Sequence, residues 1–263
     1  KPSPRRRCQM TLLAVENLSK SFGGLMAVNE VSFDVEAGSI VGLIGPNGAG
    51  KTTVFNLITG NYQPNTGTVL FDGLNLVGKP THTIVERGIA RTFQTIRLFQ
   101  NMSVLENVLA SCHCRMKAGS ISAMLRTPAQ RREEKEAMRH ALAELEFVGL
   151  VHEWQNKAKN LSYGNQRLLE IARALATKPK LIVLDEPAGG MNDQETQDLI
   201  RLIRAIQERG ITVLLIEHDM GLVMRVCSSL IVLEHGAKIA AGSPAEIQAN
   251  PRVIEAYLGV DSE

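Results

Sequence analysis

No apolar run in this sequence approaches membrane-spanning length. The longest, such as Ile211 to Ile216, fall far short of the roughly 20 residues that a spanning helix requires, so any membrane role must go through partners. An excess of one charge sign is also missing. Against 29 Lys and Arg stand 27 Asp and Glu, a formal net charge of +2, and this argues against a general nucleic-acid binder, whose basic bias is stronger. Cysteine is scarce. Cys8, Cys112, Cys114 and Cys227 make no disulfide-dense framework, and no secretory apolar segment precedes the first predicted strand, which points to a reducing cytoplasm. Cys112-His113-Cys114 has a one-residue spacing unlike a zinc knuckle, and no second ligand pair follows it. No internal repeat marks a solenoid.

What remains, 44% hydrophobic and 21% charged residues over 263 positions, reads as an ordinary globular chain with enough length to bury a substantial core. Residues 1–9, with Arg5-Arg6-Arg7, read as an extension outside the folded domain. The first third predicts short strands at Leu12 to Val15, Val31 to Val35, Ile40 to Ile44 and Thr68 to Phe71, several of them antiparallel. From Ser103, apolar Val104, Leu105, Val108 and Leu109 recur at helical spacing, and Met138, Ala141, Leu142 and Leu145 repeat the pattern. Between them, Lys117 to Gln130 reads as a loop. From Leu161 onward strands alternate with helices: Leu181 to Leu184, a helix over Glu195 to Glu208, Ile211 to Ile216, then Leu230 to Leu233. That alternation predicts a parallel α/β core. The expected architecture is a single domain over residues 10–263. Its nucleotide-binding core and antiparallel β portion span 10–100 and 160–245, a helical subdomain is inserted at 101–159, and a helical extension closes it at 246–263.

The strongest chemical signal is Gly45-Pro46-Asn47-Gly48-Ala49-Gly50-Lys51-Thr52, followed by Thr53, which comes after the apolar run Ile40 to Ile44 and opens a helix. Strand, glycine-rich loop and helix in that order form a phosphate cradle. The glycines let the backbone curl around phosphate oxygens, the helix N-terminus offers free N–H groups, Lys51 adds a positive charge and Thr52 can ligand Mg²⁺. A second apolar strand, Leu181 to Leu184, ends in Asp185 and Glu186. Alone these could cap a helix; beside a phosphate loop, Asp185 fits the Mg²⁺ shell and Glu186 fits a base that orients and activates the attacking water. A third strand end, Glu217-His218-Asp219, puts His218 where a γ-phosphate would lie, because ligands in such sheets bind at the strands' carboxyl ends.

Leu161-Ser162-Tyr163-Gly164-Asn165-Gln166 opens a further helix, Arg167 to Ala176, without a phosphate-loop strand before it. Physically it is a second helix N-terminus able to receive an anion. Its place about twenty residues ahead of the carboxylate strand makes the chain resemble the ABC ATPase family, whose signature sequence stands there, and the likeness covers about the whole chain after Met10. The resemblance implies ATP and Mg²⁺ as ligands. It sets Phe22 against adenine, counts Val28 among the nucleotide-binding residues, and makes Gln94 a residue that senses both metal and partner movement. It also implies that Ser162 and Gly164 contact the ATP held by a second cassette, whether an identical or a related chain. Permease subunits would dock near Gln94 and the helical insert at the cytoplasmic face of the membrane, with an extracytoplasmic binding protein acting indirectly. Within the family, Arg91 to Phe99, the long insert and Ala256-Tyr257-Leu258-Gly259 look most like the ATPases of branched-chain amino-acid importers, with lipopolysaccharide-export and urea or amide import ATPases as relatives. Tyr163 and Asn165 depart from the usual signature, Phe22 replaces the commoner Tyr, and Asn192 stands where a carboxylate is usual. A soluble cassette acting on ribosomes or DNA would carry paired domains or coiled-coil arms, and a phosphate-loop kinase would lack the Ser162 motif and the Glu186 base.

Overall fold

The computed structural model describes residues 10–112 and 128–258. The chain opens with β1 (Thr11–Phe22) and β2 (Leu25–Glu36), followed by β3 (Ile40–Ile44), α1 (Lys51–Ile58), β4 (Thr66–Phe71), β5 (Leu74–Asn75), α2 (Thr81–Arg87) and β6 (Ile89–Arg91). Among the described residues the next α-helices are α3 (Val104–Cys112), α4 (Pro128–Phe147) and α5 (Tyr163–Ala176). The last third alternates β7 (Leu181–Asp185), α6 (Asp193–Glu208), β8 (Thr212–Ile216), α7 (Met220–Val226), β9 (Ser229–Glu234) and β10 (Ala237–Gly242), then ends in α8 (Pro244–Gln248) and α9 (Pro251–Leu258).

Strands β3, β7 and β8 are buried at all five of their positions, as befits unbroken apolar runs in a sheet covered on both faces. They lie at the centre of a six-stranded sheet ordered β10-β9-β3-β8-β7-β6, parallel except for β10. Alternate residues serve two cores. Ile182, Leu184, Val213 and Leu215 join the helices on one face. Leu181, Val183, Leu214 and Ile216 join Phe55 of α1 and the four-stranded antiparallel sheet β2-β1-β4-β5 on the other. The expected α/β core with an antiparallel β portion is the observed fold.

Several local expectations need correction. The first two strands extend to 12 residues each, with register shifts along their pairing. Polar Asn17 and Glu30, both at φ 48°, interrupt the alternation there and hid the continuity. Residues 128–130, expected in a loop, begin α4, where Pro128 suits a first helical turn; 117–127 lie outside the described residues, as do 1–9, His113, Cys114 and 259–263. Strand β6 stops at Arg91, three residues before Gln94, and β5, α2 and β10 were not anticipated. In the helical segment, Ser103 pairs with Lys157, and Ala158 N donates to Met102 O at 3.0 Å. The chain therefore enters and leaves α3 and α4 at one point. Among the described residues no helix is long and apolar enough to cross a membrane, and no group of three or more His, Cys, Asp or Glu could hold a metal ion.

Candidate nucleotide-binding and catalytic site

The loop after β3 is shaped by glycines that no other residue could replace. A Cβ on Gly45, at φ 149°, would lie 2.1 Å from Leu233 O, and one on Gly50, at φ 96°, would lie 2.5 Å from Ala27 O. Gly50 is also the N-cap of α1. It brings no side-chain cap, and no acidic residue occupies the first turn, so the leading N–H groups and the positive end of the helix dipole are left for an anion. Lys51 is 7% exposed, and its Nζ donates to Gly45 O at 2.7 Å and Pro46 O at 2.9 Å. Burial lowers its pKa, while the charges of Glu186 and Asp185 pull it back up. A phosphate oxygen would replace carbonyl partners with a charged one, which makes the stronger bond.

A cleft of about 560 Å³ opens over this loop. Of the sequence-predicted residues, Phe22, the run Asn47 to Thr53, Gln94 and Glu186 line it, together with Ala27. Gly45 and Pro46 lie behind, as the carbonyl partners of Lys51. Val28 is a correction: its side chain is fully buried in the core shared with the antiparallel sheet, because the pleat that turns Ala27 toward the cleft turns its neighbour away. Phe22 is 44% exposed at the rim, its ring edge-to-face with Tyr62 at 5.2 Å and with Lys20 Nζ 5.2 Å from its centroid. That leaves apolar ring surface for a base to stack upon.

The catalytic candidates hang from the carboxyl ends of three neighbouring strands, β6, β7 and β8. Gln94 Nε2 donates to Glu186 Oε2 at 2.7 Å, and His218 Nδ1 lies 3.9 Å from Glu186 Oε1. The three thus form one chain of contacts. Glu186 sits at φ 47°, a left-handed conformation that is strained for a side-chain-bearing residue by about 1–3 kcal/mol. Its own N–H continues the ladder to Ile216 O at 3.0 Å. Asp185 stays behind the cleft, 2% exposed, with Oδ2 2.9 Å from Arg91 Nη2. Burial raises its pKa, and the Arg91 guanidinium draws it back. Arg91 also reaches Asn56 Oδ1 at 2.6 Å and Thr59 Oγ1 at 3.2 Å, so it ties the carboxylate strand to α1.

Ser162 and Gly164 do not line the cleft. Ser162 is the N-cap of α5 and accepts from Asn165 N at 3.3 Å. A Cβ on Gly164 would meet Glu195 Oε1 at 2.7 Å. Asn192 and Glu195 make a capping box on α6, with Glu195 N to Asn192 Oδ1 at 2.9 Å, which gives the neutral amide at 192 a structural task. Sequence reading missed Arg91, Arg167 and Glu170. Arg167, 4% exposed, donates to Phe93 O at 2.6 Å, to Gln94 O, to Tyr163 Oη at 3.0 Å and to Glu170 Oε2 at 3.3 Å. It therefore holds the backbone on which Gln94 sits. The available signal was two opposite charges, three residues apart, on the apolar face of an amphipathic helix.

A glycine loop at an uncapped helix N-terminus, with carboxylates at the end of another parallel strand of the same sheet, one strand removed, defines the phosphate-loop nucleoside triphosphatases. Residues 28–189 match the family described as "ABC transporter", and residues 237–263 match "Branched-chain amino acid ATP-binding cassette transporter". The high-affinity branched-chain amino acid transport ATP-binding protein BraF of Pseudomonas aeruginosa is 48% identical over 94% of this chain and 98% of its own length. LivG of Escherichia coli K12, carrying the same description, is 48% identical over the same shares. The crystal structure of the ADP conformation of MJ1267, an ATP-binding cassette of an ABC transporter, superposes with a TM-score of 0.83 at 35% identity, covering 95% of this chain and 99% of that one. The chain belongs to the ATP-binding cassette family of ABC transporters, nucleotide-binding ATPases that couple hydrolysis to transport.

Proposed function

We propose that the chain is the ATPase subunit of a branched-chain amino-acid importer. The observation that carries the reading is the agreement of two comparisons: the chain is 48% identical to a branched-chain amino acid transport ATP-binding protein over 94% of its length, and residues 237–263 match the branched-chain amino acid cassette family. In this reading ATP enters the cleft with adenine against Phe22 and phosphates on the N–H groups of Gly48 to Thr52. Lys51 then leaves its loop carbonyls for the phosphates. The donor set suits a Mg²⁺ ion shared with the nucleotide rather than an all-protein cage: Thr52 is exposed, Thr52 and Gln94 both line the cleft, and Asp185 is buried at the end of β7. Bound there, Mg²⁺ would neutralise phosphate charge. Glu186 orients and deprotonates the attacking water, and His218 faces the γ-phosphate from the next strand.

That Ser162 and Gly164 stand outside the lining of this chain's own cleft supports a site completed by a second cassette, whose α5 would meet this chain's ATP. A groove of about 390 Å³ lined by Arg91, Phe93, Arg97, Phe99, Glu170 and Arg173 is where a permease loop would press on the backbone that Arg167 holds. Such a seat belongs at the cytoplasmic face of the membrane, and the extracytoplasmic binding protein acts through the permease. The test is deletion of the gene followed by uptake of labelled leucine, isoleucine and valine, with urea uptake and lipopolysaccharide export measured alongside. Loss of amino-acid uptake is expected. Unimpaired uptake with a defect in urea import or lipopolysaccharide export would reassign the cargo.

A further inference from the structure

Glu217 is among the most buried charged residues of the chain, 1% exposed at the end of β8, and its two carboxylate oxygens serve different loops. Oε1 accepts from Ala188 N at 3.0 Å, in the loop that begins with Glu186. Oε2 accepts from His218 N at 3.1 Å and Asp219 N at 3.4 Å, in the loop that carries the histidine. Past this point the loops diverge around a cavity of about 350 Å³ bounded by Gly190 and Met191 on one side and by His218 and Asp219 on the other. Among the described residues, the Ala188 bond is the one hydrogen bond that joins loop 187–192 to loop 217–219. A buried carboxylate is costly unless its lone pairs are satisfied, and here backbone N–H groups from both loops satisfy it.

We propose that Glu217 is a positioning residue for hydrolysis, a two-sided clamp that makes the Glu186 loop and the His218 loop move as one body. The inference rests on the reading of Glu186 and His218 as the groups that face the γ-phosphate. A clamp requires an acceptor on each side at full reach. The isosteric amide in Glu217→Gln has one acceptor oxygen, and its NH₂ group must face the N–H of one loop. Glu217→Asp keeps the charge and loses the length needed to span both loops. A carboxylate that merely supports the fold would instead lower stability and every activity together.

The experiment measures ATP affinity, kcat and amide hydrogen exchange on the full chain for Glu217→Gln and Glu217→Asp, with Glu186→Gln as control. Both Glu217 variants should bind ATP within about twofold of the unaltered chain while kcat falls at least about tenfold. Exchange should quicken in loop 187–192 or loop 217–219 and stay unchanged at Gly48 to Thr52. In the unaltered chain, the amides of Ala188 and His218 should exchange as slowly as those of β7 and β8. A variant with full kcat, an affinity loss that matches its kcat loss, or rapid exchange at both amides in the unaltered chain overturns the clamp. Full turnover by Glu186→Gln would instead overturn the underlying reading and leave the geometry of Glu217 as found.

Discussion

Two helices in this chain begin at glycine-containing turns, and they spend their first N–H groups differently. At α1, Gly50 offers no side-chain cap, no acidic residue occupies the first turn, and the cleft opens directly above. At α5, Ser162 already accepts from Asn165 N, and the Glu195 carboxylate lies against Gly164. The first end leaves its N–H groups free for an anion. The second is a capped helix start beside an anionic side chain, and within one chain it faces no nucleotide cleft. In the proposed function, nucleotide affinity is therefore built into the α1 side, and the α5 side would add only what a second cassette makes of it.

The largest expected effect separates chemistry from binding on the α1 side. Glu186→Gln removes the proposed base and leaves the loop intact, so kcat should fall roughly 10²- to 10⁴-fold with ATP affinity retained; near-normal turnover would break the assignment. The next tests what the α5 side does inside the chain. Arg167→Met strips the buried Glu170 of its cation and frees the Phe93 and Gln94 carbonyls, and should cost about 3 kcal/mol in chemical unfolding. Burial already raises the Glu170 pKa above its unfolded value. Its charged form therefore opposes folding, and the deficit of the variant should shrink as pH falls toward the ordinary glutamate range and grow as pH rises. A deficit independent of pH would place the cost elsewhere.

Smaller effects sharpen the contrast. Phe22→Ala should weaken ATP binding by about 1 kcal/mol or more, the loss of one base-stacking platform, while Phe22→Tyr should be nearly neutral; equal losses would remove Phe22 from the adenine. Ser162→Ala should cost about 1 kcal/mol of stability through the lost cap, read as a lowered melting temperature, with the isolated chain's ATP affinity unchanged.

The α1 side was legible in the sequence because its chemistry is contiguous. Strand, loop, lysine and threonine follow one another, and the apolar run ending in Asp185 and Glu186 names the second strand. The parallel core was equally plain, since β3, β7 and β8 are unbroken apolar runs. What the sequence did not reveal depends on residues far apart in the chain meeting in space. Arg91 finds Asp185, and Arg167 finds the Phe93 and Gln94 carbonyls, 74 and 73 positions away. Glu217 reaches Ala188 across two adjacent strands. Val28 was misplaced for a local reason: one residue along a strand reverses the face. β10, half-buried and rich in alanine and glycine, has too weak an alternation to announce an edge strand.

The central claim is that affinity for ATP resides on the α1 side alone, and titration of ATP into the isolated chain tests it most directly, comparing Lys51→Ala with Ser162→Arg. Loss of the lysine's charge-assisted phosphate contact should weaken binding by about 1.5–3 kcal/mol, roughly 10- to 150-fold. The arginine at the α5 N-terminus should leave binding by the monomer within about twofold while it abolishes ATP-driven pairing and turnover. Equal losses of affinity in the two variants would contradict the account.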